Sequence, residues 1–329
     1  MKNILKDEQG SNIVVVALSI TVILVFAAFV VDLGAAYFKT AEVQTAADAA
    51  VMAAGMELPV NVNDTSKQSS MIATVLEYLN KNGITDTTEV NVYFSDEENE
   101  FYTRIGVDVP ATSPTEFAKI IGVNEVTFTR SAEARTIPCT ALSDLVPLSA
   151  REDVLAELIA SGNTEHVILK YGSNTEEVEQ GAFGAIDLDG VKGGGANDYV
   201  SWLENGYQGE LTVGTILPIE GGNMDGPTLT GLSERFNACT HYQSIGGCTA
   251  EHYVSDCPRV MKVPVIQYVD SKNVKIVGFA AFIIEDYTTY ADDGYVIGTY
   301  VDMVNIGASK GDLTGTAEDF GVYSLTLSK

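Results

Sequence analysis

The stretch CTHYQSIGGCTAEHYVSDC, residues 239–257, gathers three of the chain's four cysteines and two of its three histidines. Cys239, Cys248 and Cys257, with His241 or His252, offer three thiolates and an imidazole, the donor set of a tetrahedral zinc site. Their spacing matches neither a zinc ribbon nor a zinc finger. The same thiols suit disulfides, which form where the surroundings are oxidising. Disulfide bonding of Cys139, Cys239, Cys248 and Cys257 is therefore the expectation, with no metal and no cofactor. Four cysteines allow three connectivities. A Cys248–Cys257 bridge closes a short loop at little entropic cost, and Cys139–Cys239 would then tie the start of the outer region to its middle.

Other stretches offer less chemistry. DLDG, Asp187 to Gly190, starts like a calcium loop but lacks the third oxygen ligand and the distal Glu, so it reads as a turn. GGGAND has no Lys-Ser or Lys-Thr behind it and is not a phosphate loop. His166 beside Glu165 reads as a surface residue at a strand start. No carboxylate pair stands out as acid and base, so the chain is expected not to be an enzyme.

The elements that carry these residues begin with an anchor. From Ile13 to Val31 the chain holds no charge. A cleavable signal has an apolar core of roughly 7–15 residues, whereas about 19 residues of helix reach roughly 28 Å, close to the hydrocarbon thickness of a bilayer. Ser19 and Thr21 are the polar exceptions, and a helix can return such hydroxyls to its own carbonyls. We read a single membrane-spanning helix. Lys2 and Lys6 precede it and favour an N-terminus on the cytoplasmic side. The longest rival run, Val274 to Ile284, is too short to span and reads as a buried strand. The net charge of -26 argues against nucleic acid, whose phosphates call for Lys and Arg, and fits an acidic exterior outside the cytoplasm.

The helix does not stop at the membrane. Val43, Ala46, Ala47, Ala50, Val51 and Ala54 recur at helical spacing on one face, and no proline intervenes before Pro59. One helix from about Asn12 to Gly55 is expected. A face of small residues lets another helix approach closely, either from this chain's own outer domain or from neighbouring subunits.

These residues carry a resemblance. DEQGSNIVVVALSITVILVFAAFVVDLGAAYFKTAEVQTAADAAVMAAG resembles the N-terminal segment of TadG-like proteins of the Flp, or tight-adherence, pilus assembly system. Asp32, Leu33, Gly34 and Tyr37 match the family's VDLG-x-x-Y, and Gln44, Ala46, Ala47, Asp48, Ala49 and Ala50 match its LQ-x-AADAAALAAA. The blocks GAFGAIDLDG, GGNMDGPT and CPRVMKVPV are similar to outer regions of such proteins. Related pilin-like subunits carry Glu five positions after a Gly cleavage site. Here Val15 stands five positions after Gly10, so retention as an anchor is favoured over processing between Gly10 and Ser11. The Asp-x-Ser-x-Ser metal run of many TadG proteins does not occur in the chain.

The outer part divides by composition. Asp64 or Thr65 caps a helix to about Asn82, with Gly83 as its stop. EVNVYF and FYTRIGVDVP alternate as strands around a hairpin loop at SDEENE. SPTEFAKIIG reads as a short helix with Ser113 as N-cap and Pro114 at its first position, and EVTFTRSAEAR closes the unit as a strand. Beyond TIPCTAL come short helices at REDVLAELIASG, DYVSWLENG and TLTGLSERF, and three long strands, RVMKVPVIQYV, NVKIVGFAAFIIED and YVIGTYVDMV. The middle strand is apolar on both faces and so belongs at the centre of its sheet. The expected class is α+β: residues 1–11 cytoplasmic, 12–57 the span and its extension, 58–138 a small α+β domain, and 139–329 a mostly β extracytoplasmic domain. The resemblance implies a single-pass, non-catalytic component of Flp/Tad pilus assembly. Its implied partners are the membrane, other assembly proteins or pilin-like subunits, and further copies of itself. The alternatives are a processed, pilin-like minor subunit, or an anchored extracellular binding module unconnected with pili.

Overall fold

A computed structural model describes residues 8–98, 100–162, 165–171, 185–191, 195–220, 224–288, 295–305 and 317–328. Lys2, Lys6, residues 181–184, Gly193, Gly194 and residues 221–223 lie outside them. The chain is α+β and divides into two compact units, one of residues 1–135 with 327–329 and one of 136–326.

The first unit is built on one 48-residue helix, α1 (Glu8–Gly55). It is followed by β1 (Val60–Asn61), α2 (Thr65–Lys81), β2 (Asn91–Glu98), β3 (Phe101–Pro114) and β4 (Glu125–Pro138). The Asp64 carboxylate accepts the Lys67 N–H and starts α2. Gly83, at φ +88°, supplies the left-handed residue just past its end. β1, β2 and β4 all pair antiparallel with β3. Alternation sets the faces of this sheet. Ile105 and Val107 lie opposite Ala134 and Ala132, and all four are fully buried with Val109. Met71, Val75 and Leu79 of α2 complete the same core.

On the other face, Gly106 sits between Tyr93 of β2 and Glu133 of β4. The Tyr93 ring crosses the space a side chain at Gly106 would fill, and its hydroxyl donates to Glu133 at 2.8 Å. The Arg104 guanidinium donates to the same carboxylate at 2.8 Å.

Two boundaries differ from the sequence reading. The acidic hairpin loop is shorter, because β2 runs on through Glu98. The helix expected over Ser113–Gly122 is a single 3-10 turn, Ala118–Ile121. Pro110 to Pro114 continue β3 and pair with β4 down to Glu125, so Ser113 and Pro114 are strand residues rather than a helix start.

The second unit contains β5 (Ala141–Leu142), β6 (Ala150–Arg151), α3 (Glu152–Ser161), β7 (Val167–Tyr171), α4 (Gly195–Asn205), β8 (Leu211–Thr212) and β9 (Ile216–Pro218). After them come α5 (Asp225–Asn237), β10 (Val260–Tyr268), β11 (Asn273–Ile283), β12 (Tyr295–Val301), β13 (Met303–Asn305) and β14 (Val322–Leu327). The main sheet runs β6-β10-β11-β12-β7, with β9 also on β11. β11 is central and buried along nearly its whole length. Its Ala280 and Phe282 face a core shared with Leu155, Tyr199, Leu203 and Leu232 of the three helices. Its Val274, Ile276, Phe279, Ala281 and Ile283 face a second core that includes Cys139, Cys248 and Cys257.

Candidate functional site

In α1 the apolar stretch carries no covering protein. Its most hydrophobic window has a mean hydropathy of 3.1 and is 0% buried. Ser19 and Thr21 donate to the carbonyls of Val15 and Ala17 at 2.8 and 2.9 Å, so neither hydroxyl asks for water. One helix passes the length and composition test for crossing a membrane among the described residues.

At the end of this stretch Asp32 is buried, and it performs a specific task. Its carboxylate accepts the backbone N–H groups of Glu116, Phe117 and Ala118, the shortest at 2.7 Å. These are the orphan donors at the start of the 3-10 turn, satisfied from a different element. The clamp lays the β3–β4 loop against α1. Phe117, Ile120 and Ile121 then line an apolar groove of roughly 520 Å³ with Leu24, Ala28 and Val31. Ile120 remains 82% exposed and Ile121 69%. The loop extends the bare apolar surface of the helix rather than ending it.

Further along, Val43, Ala46, Ala47, Ala50, Val51 and Ala54 are all fully buried. They pack within the first unit, where α1 meets α2 and β3. Of the two partners considered for this face, the chain's own domain occupies it. Gln44 donates to Asp48 at 2.8 Å and to the Ser131 carbonyl of β4 at 3.1 Å, so two more residues of the matched motif act as a clamp. Leu33 and Tyr37 do not join the core. They are 67% and 73% exposed, and continue a stripe through Phe26 and Val30 at i, i+4, i+7 and i+11. Gly10 and Ser11 lie inside α1.

The cysteines correct the disulfide expectation. All four are free thiols. Cys257 Sγ lies 3.4 Å from Cys239 Sγ, against about 2.05 Å for a disulfide. Cys139 is buried in the second core, and burial pushes its thiol up to about 12. The other three converge with His241: one ligand atom from each of Cys239, His241, Cys248 and Cys257 lies within 4.8 Å of every other. His252 is not in the group. Cys239 follows α5, and the chain then passes through Tyr242, Gly246 and Gly247, all at positive φ. That reversal returns Cys248 to the place Cys239 left, and Cys257 arrives just before β10. Burial alone would raise the Cys239 thiol, but the Cys248 N–H and the neighbouring thiols donate to its sulfur and bring it down to about 7.

The remaining candidates stay apart. His166 is exposed at φ +61°. In the DLDG turn, Asp189 accepts the Val191 N–H at 2.7 Å, as a turn residue does. Asp187 is buried with its Oδ1 unpartnered. Burial and the nearby Asp189 push its carboxyl up to about 6.

Residues 10–57, nearly the whole of α1, match the Tad family model, the Flp pilus-assembly TadE/G-like segment. No curated protein and no solved structure matches the chain.

Proposed function

We propose that the chain is a membrane-anchored, non-catalytic component of the Flp (Tad) pilus assembly system, held by residues 13–31 with the bulk of the chain outside the cytoplasm. The TadE/G-like match over α1 supports the system. The observation that carries the anchor is the unbroken apolar surface of the Ile13–Val31 stretch and the Asp32-clamped loop. Water would leave that surface costly, at about 25 cal/mol per Å²; lipid would not. Lys2 and Lys6 orient the N-terminus inward. Because the alanine face is occupied internally, pilin-like or assembly partners would meet exposed apolar side chains such as the stripe Phe26, Val30, Leu33 and Tyr37.

The test is deletion in the native cell, with pili counted by electron microscopy. Loss of Flp pili, restored by the wild-type chain but not by a chain lacking residues 13–31, is expected. Normal piliation after deletion overturns the reading. The intact mass of the detergent-extracted chain then separates a retained anchor, starting at Met1, from a processed subunit, starting at Ser11.

A further inference from the structure

We propose that Cys239, His241, Cys248 and Cys257 bind one zinc ion as a closed, structural Cys3His site in the second unit. Three thiolates at about 2.3 Å and an imidazole at about 2.0 Å from a tetrahedral zinc are separated from each other by roughly 3.5–3.8 Å. The four ligand atoms already lie within 4.8 Å of one another, and two of the sulfurs stand 3.4 Å apart. That separation is too wide for a disulfide and close to the edge of the zinc tetrahedron.

Independent features point to the same occupant. His241 Nδ1 is buried and has no hydrogen-bond partner, a state that costs about 1–3 kcal/mol unless something fills it. The Arg259 backbone N–H points at Cys257 Sγ at 3.4 Å, the kind of outer hydrogen bond that steadies a ligating thiolate. Two buried guanidiniums flank the group. Arg259 donates to the carbonyls of Phe236, Gly246 and Cys248, and stacks on the Phe236 ring at 3.6 Å. Arg235 donates to the carbonyls of Leu203, Pro258 and Val260. Neither forms an ion pair with a carboxylate among the described residues. A zinc ion with three thiolates and a neutral imidazole carries a net charge of about -1, which suits a place between two guanidiniums, of which Arg235 also feels the Asp144 carboxylate. Gly247 completes the fit, because a side chain there would overlap the Arg259 guanidinium.

Ligand chemistry selects the metal. Thiolates and imidazole favour zinc over calcium or magnesium, which take oxygen donors. Four protein ligands leave no open position, so the site is structural rather than catalytic. What it would hold is the irregular run from Ala238 to Arg259, whose only regular element is the 3-10 turn Gln243–Ile245. The site is a property of the second unit and does not rest on the pilus reading.

The experiment is metal analysis of the full chain purified in detergent, by plasma mass spectrometry with intact mass on the same sample. One zinc per chain is expected in the wild type and in Cys139→Ser, with loss to below a tenth in Cys248→Ser and His241→Ala. As a readout that does not depend on the folding of those variants, the wild type is also stripped and reloaded with cobalt. Tetrahedral d–d bands and a thiolate-to-cobalt charge-transfer band are expected. A chain without zinc whose mass is two hydrogens low, with thiols that alkylate only after reduction, overturns the proposal in favour of a disulfide. Reloaded protein showing only the weak bands of octahedral cobalt overturns it as well.

Discussion

The Asp32 carboxylate reaches backbone donors 84 to 86 residues further along the chain. Charge-assisted hydrogen bonds of this kind are the strong ones, and removing the acceptor leaves three N–H groups beside an apolar surface. Asp32→Ala should speed amide exchange at Glu116, Phe117 and Ala118 roughly 10- to 100-fold, the equivalent of about 1–3 kcal/mol of local stability. Hydrogen exchange with mass spectrometry on the detergent-solubilised chain reads this directly, and unchanged protection at those amides would contradict the clamp. Asp32 was visible in the sequence as part of a motif, but its partner was not. Nothing in SPTEFAKIIG announces that its N–H groups are satisfied from outside, and a capping pattern of Ser followed by Pro looked sufficient for a helix. The cysteines were legible in the same partial way. Their donor types pointed to zinc, but the spacing did not, because the convergence depends on left-handed backbone at Tyr242, Gly246 and Gly247. Tyr242 is not a residue that advertises such a turn.

At the scale of the element, α1 divides its length between a bare apolar stretch and a buried alanine face. Its apolar stretch and its alanine face were both readable, since uncharged length and helical spacing are local properties. Which surface packs against what was not, because two partners suit small residues equally well. The structure separates them by burial, and substitutions can follow. Ala47→Asp places a carboxylate in a dry interface and should destabilise the first unit by about 3–5 kcal/mol. Leu33→Asp and Tyr37→Ala, on the exposed stripe, should leave thermal unfolding in detergent within about 0.5 kcal/mol of wild type while reducing the number of pili. Equal thermal losses from all three would show that the stripe is part of the fold rather than a surface for partners. The sheets followed the same rule. Alternation placed β3 and β4, and two-sided apolarity placed β11 at the centre, but YVIGTYVDMV, expected as one strand, is β12 and β13 on either side of Asp302, and β14 was not read at all.

Across the whole molecule, acidity is both a surface property and, at one point, a buried cost. Asp187 is raised to about 6 by burial, with Asp189 adding to the effect. Its neutral form is the one the fold prefers. The stability it contributes is therefore fully present below the pKa of an unfolded aspartate, about 3.9, and fades as pH rises through about 6. Asp187→Asn should flatten the pH dependence of the second unit between about 4 and 6, and raise its stability at pH 7.5 by about 1–2 kcal/mol. The single tryptophan, Trp202, lies in α4 of that unit, so denaturant titrations followed by its fluorescence report on the right part of the chain. A variant with the wild-type pH profile would place the burden elsewhere.

The continuity of α1 has a mechanical side. The helix runs from its apolar stretch into the buried alanine face with no break and no linker between Val31 and Val43. At 1.5 Å per residue those positions are roughly 18 Å apart along a rigid rod. A soft tether would let a domain swing and absorb a tug. This rod cannot, so tension on the first unit passes straight into the apolar stretch, and any rotation of that stretch about its axis turns the sheet with it. The fold is coupled to its apolar stretch as a shaft is to its key, with the Asp32 and Gln44 clamps as the points that resist slipping.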